Sequence, residues 1–213
     1  MHRLRLKFAR GEKLKFLSHL DLMRLWERAL RRAGLPPAYS EGFSPHPRIS
    51  LAAPLAVGIT SQAELMDVFL DRRISPGLFS QKVSPQLPEG IEILEVTPAR
   101  LDEPSLQSRV RFAEYAVEVE TDRVAPEIEA DLGKLLAAEQ WPWHHARDTG
   151  ERFYDLRTLV DDLWLINNRD RTCTIGMRLR CDPSGSGRPE QVAKALGLTD
   201  LPKSIQRTKL ILA

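Results

Sequence analysis

The sequence is poor in cysteine. Its 213 residues include two, Cys173 and Cys181, with seven residues between them. That spacing fits neither a CxxC zinc knuckle nor a CxxxCxxC iron–sulfur loop, so no cluster, metal or other cofactor is expected. A free-thiol protein of the cytoplasm is the default. No apolar run approaches the ~18 residues a membrane helix needs. The first ten residues alternate charged and apolar side chains and hold no h-region, so they do not read as a secretory signal. GxxxxGK[ST], GxGxxG and HExxH are all missing, which removes the common phosphate-loop, dinucleotide and zinc-protease readings. Net charge is also small, +2 from 31 basic and 29 acidic residues. A hydrophobic content of 42% against 28% charged residues argues against wholesale disorder.

The small net charge conceals an asymmetry. Residues 1–100 hold 15 Lys+Arg and 10 Asp+Glu, whereas residues 101–213 hold 16 and 19. Residues 1–48 are the most basic block, with 11 cations against 4 acids. A block of that kind can steer a polyanion even in a nearly neutral chain.

Periodicity supplies the elements. Arg3 to Phe8 alternates strictly, which predicts a half-buried strand with Arg3, Arg5 and Lys7 on its open face. Ser18, three residues before Asp21, marks a helix N-terminus, and Gly34 followed by two prolines marks its end. Leu22, Met23, Trp26, Ala29, Leu30 and Ala33 form the apolar stripe of that helix. Arg24, Arg28 and Arg31 recur on another face. Strands are expected at 48–53, 63–71 and 91–96, with a short helix over 75–83. The order β-α-β-β-α-β is the ferredoxin-like pattern. It recurs after a linker over 98–108, with strands near 115–119, 152–166, 172–181 and 204–212 and helices over 126–140 and 188–196. The expected class is therefore α+β, two tandem ferredoxin-like (βαββαβ) units, a basic one over 1–100 and an acidic one over 109–213.

The densest stretch runs from Phe16 to Pro54. Its arginine ladder suits phosphate, because guanidinium binds phosphate oxygens bidentately and stays charged. Tyr39 and Phe43 offer faces on which an unpaired base can stack. His46 is locked between Pro45 and Pro47, and Arg48 leaves the loop at the next strand. The candidate RNA-binding set is thus Arg3, Arg5, Lys7, Arg24, Arg28, Arg31, Tyr39, Phe43, His46 and Arg48. His19 and His46 are the candidate general bases.

The same stretch, FLSHLDLMRLWERALRRAGLPPAYSEGFSPHPRISLAAPLAVGITSQAELMDV, resembles the signature of the radical SAM-linked protein family. The likeness is dense over residues 14–71 and continues at Tyr154-Asp155-Leu156-Arg157, Arg188-Pro189 and Arg207-Thr208. It implies a bacterial protein encoded beside, or fused to, a radical S-adenosylmethionine protein, and it carries no assigned catalytic residues. The resulting expectation is an accessory RNA-binding protein that presents RNA, tRNA or rRNA, to a radical SAM partner for modification or processing. Two alternatives remain open. One is a metal-independent RNA-processing endonuclease, since tandem ferredoxin-like units with a histidine near the first helix are similar to the repeat-RNA-processing nucleases of CRISPR systems. Those nucleases carry a glycine-rich loop before the last strand, and residues 197–202 do not supply one. The other alternative is a protein-only adaptor of the radical SAM protein.

Overall fold

A computed structural model of the chain describes residues 1–147, 150–198 and 201–213. Thr199 and Asp200, within the 197–202 segment, lie outside the described residues. The chain is mixed α/β and divides into two compact units, Met1–Val110 and Arg111–Ala213.

The first unit contains β1 (His2–Arg10), α1 (His19–Arg32), β2 (Ile49–Leu51), β3 (Thr60–Leu70), α2 (Pro76–Val83), β4 (Ile91–Ala99) and the four-residue α3 (Leu106–Arg109). Its strands pair antiparallel in the order β4-β1-β3-β2. Alternation along β1 sends Leu4, Leu6 and Phe8 to one face, where all three are fully buried. They meet Leu22, Trp26 and Leu30 of α1 and Phe79 and Val83 of α2 in one core. Phe8 and Trp26 pack edge to face, 5.0 Å between ring centroids.

The ends of α1 follow the sequence signals. Ser18 Oγ accepts from the Asp21 amide (3.2 Å) and donates to the Asp21 carboxylate (2.6 Å). Gly34 takes φ +69°, the left-handed conformation a helix stop needs, and the Leu35 amide then donates to the Leu30 carbonyl.

The segment over 98–108 is not a free linker. Leu106 is buried, α3 packs on β2 and β3, and Gln107 Nε2 donates to Ser50 Oγ at 2.7 Å. The first unit accordingly runs to Val110 instead of ending at residue 100.

The second unit contains most of β5 (Val110–Glu120), α4 (Ala125–Ala137), β6 (Pro142–Arg147), β7 (Gly150–Asp155), β8 (Val160–Arg169), β9 (Thr172–Asp182), the two-residue β10 (Gly185–Ser186), α5 (Pro189–Ala195) and β11 (Ser204–Leu212). Strand neighbours run β8-β9-β5-β11, β10 folds back on the end of β9, and β6 and β7 form a separate antiparallel hairpin.

That hairpin differs from the single extended segment expected over 152–166. The Asp155 carboxylate accepts from the backbone amides of Trp141 (2.7 Å) and Arg157 (3.0 Å) and so ends β7. A 3-10 turn over Leu156–Leu159 follows, and Arg157 pins it to the carbonyls of Leu136 and Val160. Cys173 on β9 is fully buried, and burial pushes its thiol pKa up.

Candidate nucleic-acid interface

The cations expected to share one surface fall on opposite sides of the first sheet. Leu4, Leu6 and Phe8 face the helices, so Arg3, Arg5 and Lys7 face away from α1. Arg3 is 3% exposed. Its Nε (3.1 Å) and Nη2 (2.5 Å) bind the Asp67 carboxylate, while Nη1 and Nη2 also donate to the carbonyls of Arg100, Glu103 and Pro104. Arg5 binds the same Asp67 and the carboxylate of Glu103. These two arginines are engaged within the protein and cannot track a polyanion as placed. Their burial corrects the expectation of a basic open strand face, and its cause is the buried acid opposite them on β3. Lys7 stays exposed, in register with Glu95 of β4.

Arg48 belongs to the same side. Its guanidinium lies 4.5 Å from the Phe69 ring centroid, and that of Arg3 lies 5.5 Å from the same ring. Arg48 also donates to Met1 Sδ at 2.9 Å.

The arginines of α1 build a different feature. A groove of about 470 Å³ runs between α1 and the turn that follows α2, with Arg24, Arg28 and Arg32 along its helical wall and Pro85 and Pro88 opposite. Leu17, Leu25 and Leu87 give it an apolar floor, and Asp21 is its one carboxylate. Asp21 lies 3.6 Å from Arg24, and both side chains are more than half exposed, so the pair is weak. Among the described residues, no side-chain hydrogen bond or ion pair holds Arg28 or Arg32.

The groove contains Arg32 where the sequence reading had Arg31. At ~100° per residue, each i+4 step turns ~40° around the helix, which carries the row 24-28-32 across the wall. Position 31 turns back the other way, and Arg31 pairs there with Glu27 at 2.7 Å. Arg31 also donates to Tyr39 Oη, and the Tyr39 hydroxyl donates to Glu27 Oε1 at 2.9 Å. Tyr39 is thus tied to the far side of α1 through its hydroxyl. Extending the i+4 spacing by one step was the signal that locates Arg32.

Residues 40–47 close on themselves: the Ser40 amide donates to the His46 carbonyl, and the His46 amide donates to Ser40 Oγ, each at 2.9 Å. Phe43 is fully exposed in this loop, and His46 is exposed as well. His19, the first residue of α1, is exposed and does not line the groove. The candidate RNA-binding set therefore occupies four places: Arg24 and Arg28 in the groove, Arg31 and Tyr39 on the far side of α1, Phe43 and His46 in the loop, and Arg3, Arg5, Lys7 and Arg48 on the side of the sheet away from α1. Among the described residues, no three His, Cys, Asp or Glu side chains gather where they could hold a metal ion.

The family model for an uncharacterized protein conserved in bacteria, DUF2344, matches residues 3–189, and the chain belongs to that family. The family description names no radical SAM protein. No curated protein matches the chain. Among solved structures, a chain of a Cbf5-Nop10-Gar1 complex is similar in fold, at 8% identity and a TM-score of 0.52, over 98% of this chain and 48% of that one. A chain of an archaeal box H/ACA sRNP Nop10-Cbf5 complex gives 8% identity and a TM-score of 0.46, over 97% and 46%. A chain from an H/ACA RNP bound to a substrate RNA containing 2′-deoxyuridine gives 9% and 0.47, over 98% and 47%. The chain spans about half the length of these solved chains.

Proposed function

We propose that this chain is an accessory RNA-binding protein, built as two tandem ferredoxin-like units, that acts with a radical SAM partner in RNA modification or processing. The ferredoxin-like reading is supported by element order and strand order together. Each unit runs β-α-β-β-α-β through its main elements, and β4-β1-β3-β2 corresponds position for position to β11-β5-β9-β8. The radical SAM partner rests on the sequence resemblance over residues 14–71.

RNA binding rests chiefly on the groove. Arg24, Arg28 and Arg32 stand at i+4 steps, each advancing ~6 Å along the helix axis, against a single carboxylate. A slanted row of cations at that interval suits the successive phosphates of one strand. The leucine floor and proline wall offer the bases and sugars an apolar surface. The exposed Phe43 adds a stacking face outside the groove.

The test is fluorescence anisotropy with a short single-stranded RNA at several salt concentrations. Binding that weakens with salt, and weakens further in Arg28→Glu, supports the reading. No binding at low salt, or affinity unchanged in an Arg24/Arg28/Arg32 triple glutamine variant, overturns it. The partner is tested separately, by co-purification with the radical SAM protein before and after ribonuclease treatment.

A further inference from the structure

A second hollow lies wholly within the second unit, with a volume of about 570 Å³ between β7, the turn at Ser184–Ser186 and the start of α5. That volume falls in the ~300–1,000 Å³ range of small-molecule sites. Arg152 and Arg188 contribute two cations and Tyr154 an aromatic ring, while Phe153, its neighbour on β7, stacks its ring on His144 at 4.6 Å between centroids. Ser186 adds a hydroxyl, and Gln191, only 5% exposed, adds a buried amide. The Gln191 oxygen accepts from the Tyr154 hydroxyl, and its NH2 has no partner among the described residues. That NH2 is not among the buried unsatisfied groups of the described residues, so it is open to the hollow and can donate to a ligand.

Two acids, Glu151 and Asp155, also line the hollow. Glu151 lies 3.5 Å from His144 Nε2, and Asp155 accepts the two backbone amides that end β7. Arg152 has no ion-pair partner among the described residues, and Arg188 reaches Glu190 only at 3.8 Å.

One wall is set in advance. The Asp182 carboxylate accepts from the amides of Ser184 (2.8 Å) and Gly185 (3.2 Å), which fixes the turn. A Cβ on Gly187 would stand 2.9 Å from both the Leu159 carbonyl and Leu179 Cβ, so only glycine allows that close approach. A wall fixed before binding lowers the ordering cost of a ligand.

We infer that this hollow binds a nucleotide, with its phosphate on Arg152 and Arg188, its base against the Tyr154 ring, and the base edge at the Gln191 amide. The shared chemistry is a base carrying a phosphate, either free in solution or at the end of an RNA strand. The site is independent of the α1 groove.

Calorimetric titration of the full chain with AMP tests it, with adenosine and inorganic phosphate as partial ligands. Saturable AMP binding is expected, tighter than either partial ligand and weakened about tenfold in Arg188→Gln. Both arginines are exposed, and an unchanged melting temperature shows that the variant is folded. In the Arg24/Arg28/Arg32 triple glutamine variant, a 5′-phosphorylated tetra-adenylate bound at least as well as AMP identifies a strand end; binding of AMP alone identifies a free nucleotide. Arg28→Glu leaves AMP affinity unchanged, which separates this site from the groove. The inference is overturned by absence of saturable binding at millimolar AMP, or by equal affinity in wild type, Arg152→Gln and Arg188→Gln.

Discussion

Arg3 Nη2 and Asp67 Oδ2 stand 2.5 Å apart, with both side chains almost closed to water, on the side of the first sheet turned away from α1. The pair is part of a cluster. Arg5 shares the same carboxylate, and three backbone carbonyls between residues 100 and 104 complete the coordination of Arg3. Replacing Asp67 leaves a buried guanidinium short of its counter-charge. Asp67→Asn is therefore expected to lower stability by ~3–5 kcal/mol, read from urea unfolding. Loss below ~1 kcal/mol would mean the cluster is not a stability element.

The groove makes a quantitative prediction about salt. For single strands, the slope of log affinity against log salt is about −0.7 per phosphate neutralised. Converting Arg28 and Arg32 to glutamine should make the slope shallower by about 1.4. Arg31→Gln, on the far side of the helix, should leave it nearly unchanged. The equality or inequality of those two effects decides which arginines face the nucleic acid.

Phe43 is the one large apolar side chain of its loop, and it is fully exposed, so Phe43→Ala should not disturb the melting temperature. If a base stacks on the ring, RNA affinity falls by ~1–3 kcal/mol. The same loss should appear at low and moderate salt, since stacking does not release counterions.

Gly176 on β9 sits opposite Trp164 on β8, and a Cβ placed there would lie 2.0 Å from Trp164 Cε2. Gly176→Ala must push the indole aside and is expected to cost ~1–3 kcal/mol. Restoring stability in Gly176→Ala/Trp164→Val would confirm that the clash, and not the backbone, is responsible.

Asp182 sets an acid limit. Its carboxyl is held down to about 2, first by the Ser184 hydroxyl and then by Arg180, against an ordinary value of 3.8. A depressed folded-state value stabilises the protein above the unfolded value and ceases to do so as pH falls through the folded one. The stability advantage of wild type over Asp182→Asn should be present near neutrality, shrink between about 3.8 and about 2, and vanish below. An advantage that persists below that window would point to packing instead of charge.

Much of this architecture was legible in the sequence because it depends on local rules. The alternation of β1, the Ser18 cap, the Gly34 stop and the Ser75-Pro76 start of α2 all stand where the pattern placed them. The candidate site was less legible. Which face a strand cation occupies follows from alternation, but whether it is free depends on an acid some sixty residues away. Asp67 is in the sequence, yet nothing local announces that it will stand opposite Arg5 in register. The β6–β7 hairpin escaped for a similar reason: the turn after β7 is made by Asp155 reaching back to the Trp141 amide, a contact with no periodic signature.

The three carbonyls that receive Arg3 bear on how the protein can be dissected. A fragment cut after Arg100 would strip the guanidinium of two of those acceptors and Arg5 of Glu103, and would lose the buried leucine that anchors α3. A terminus beyond Val110 keeps those acceptors, which makes the segment after Arg100 an integral part of the first unit.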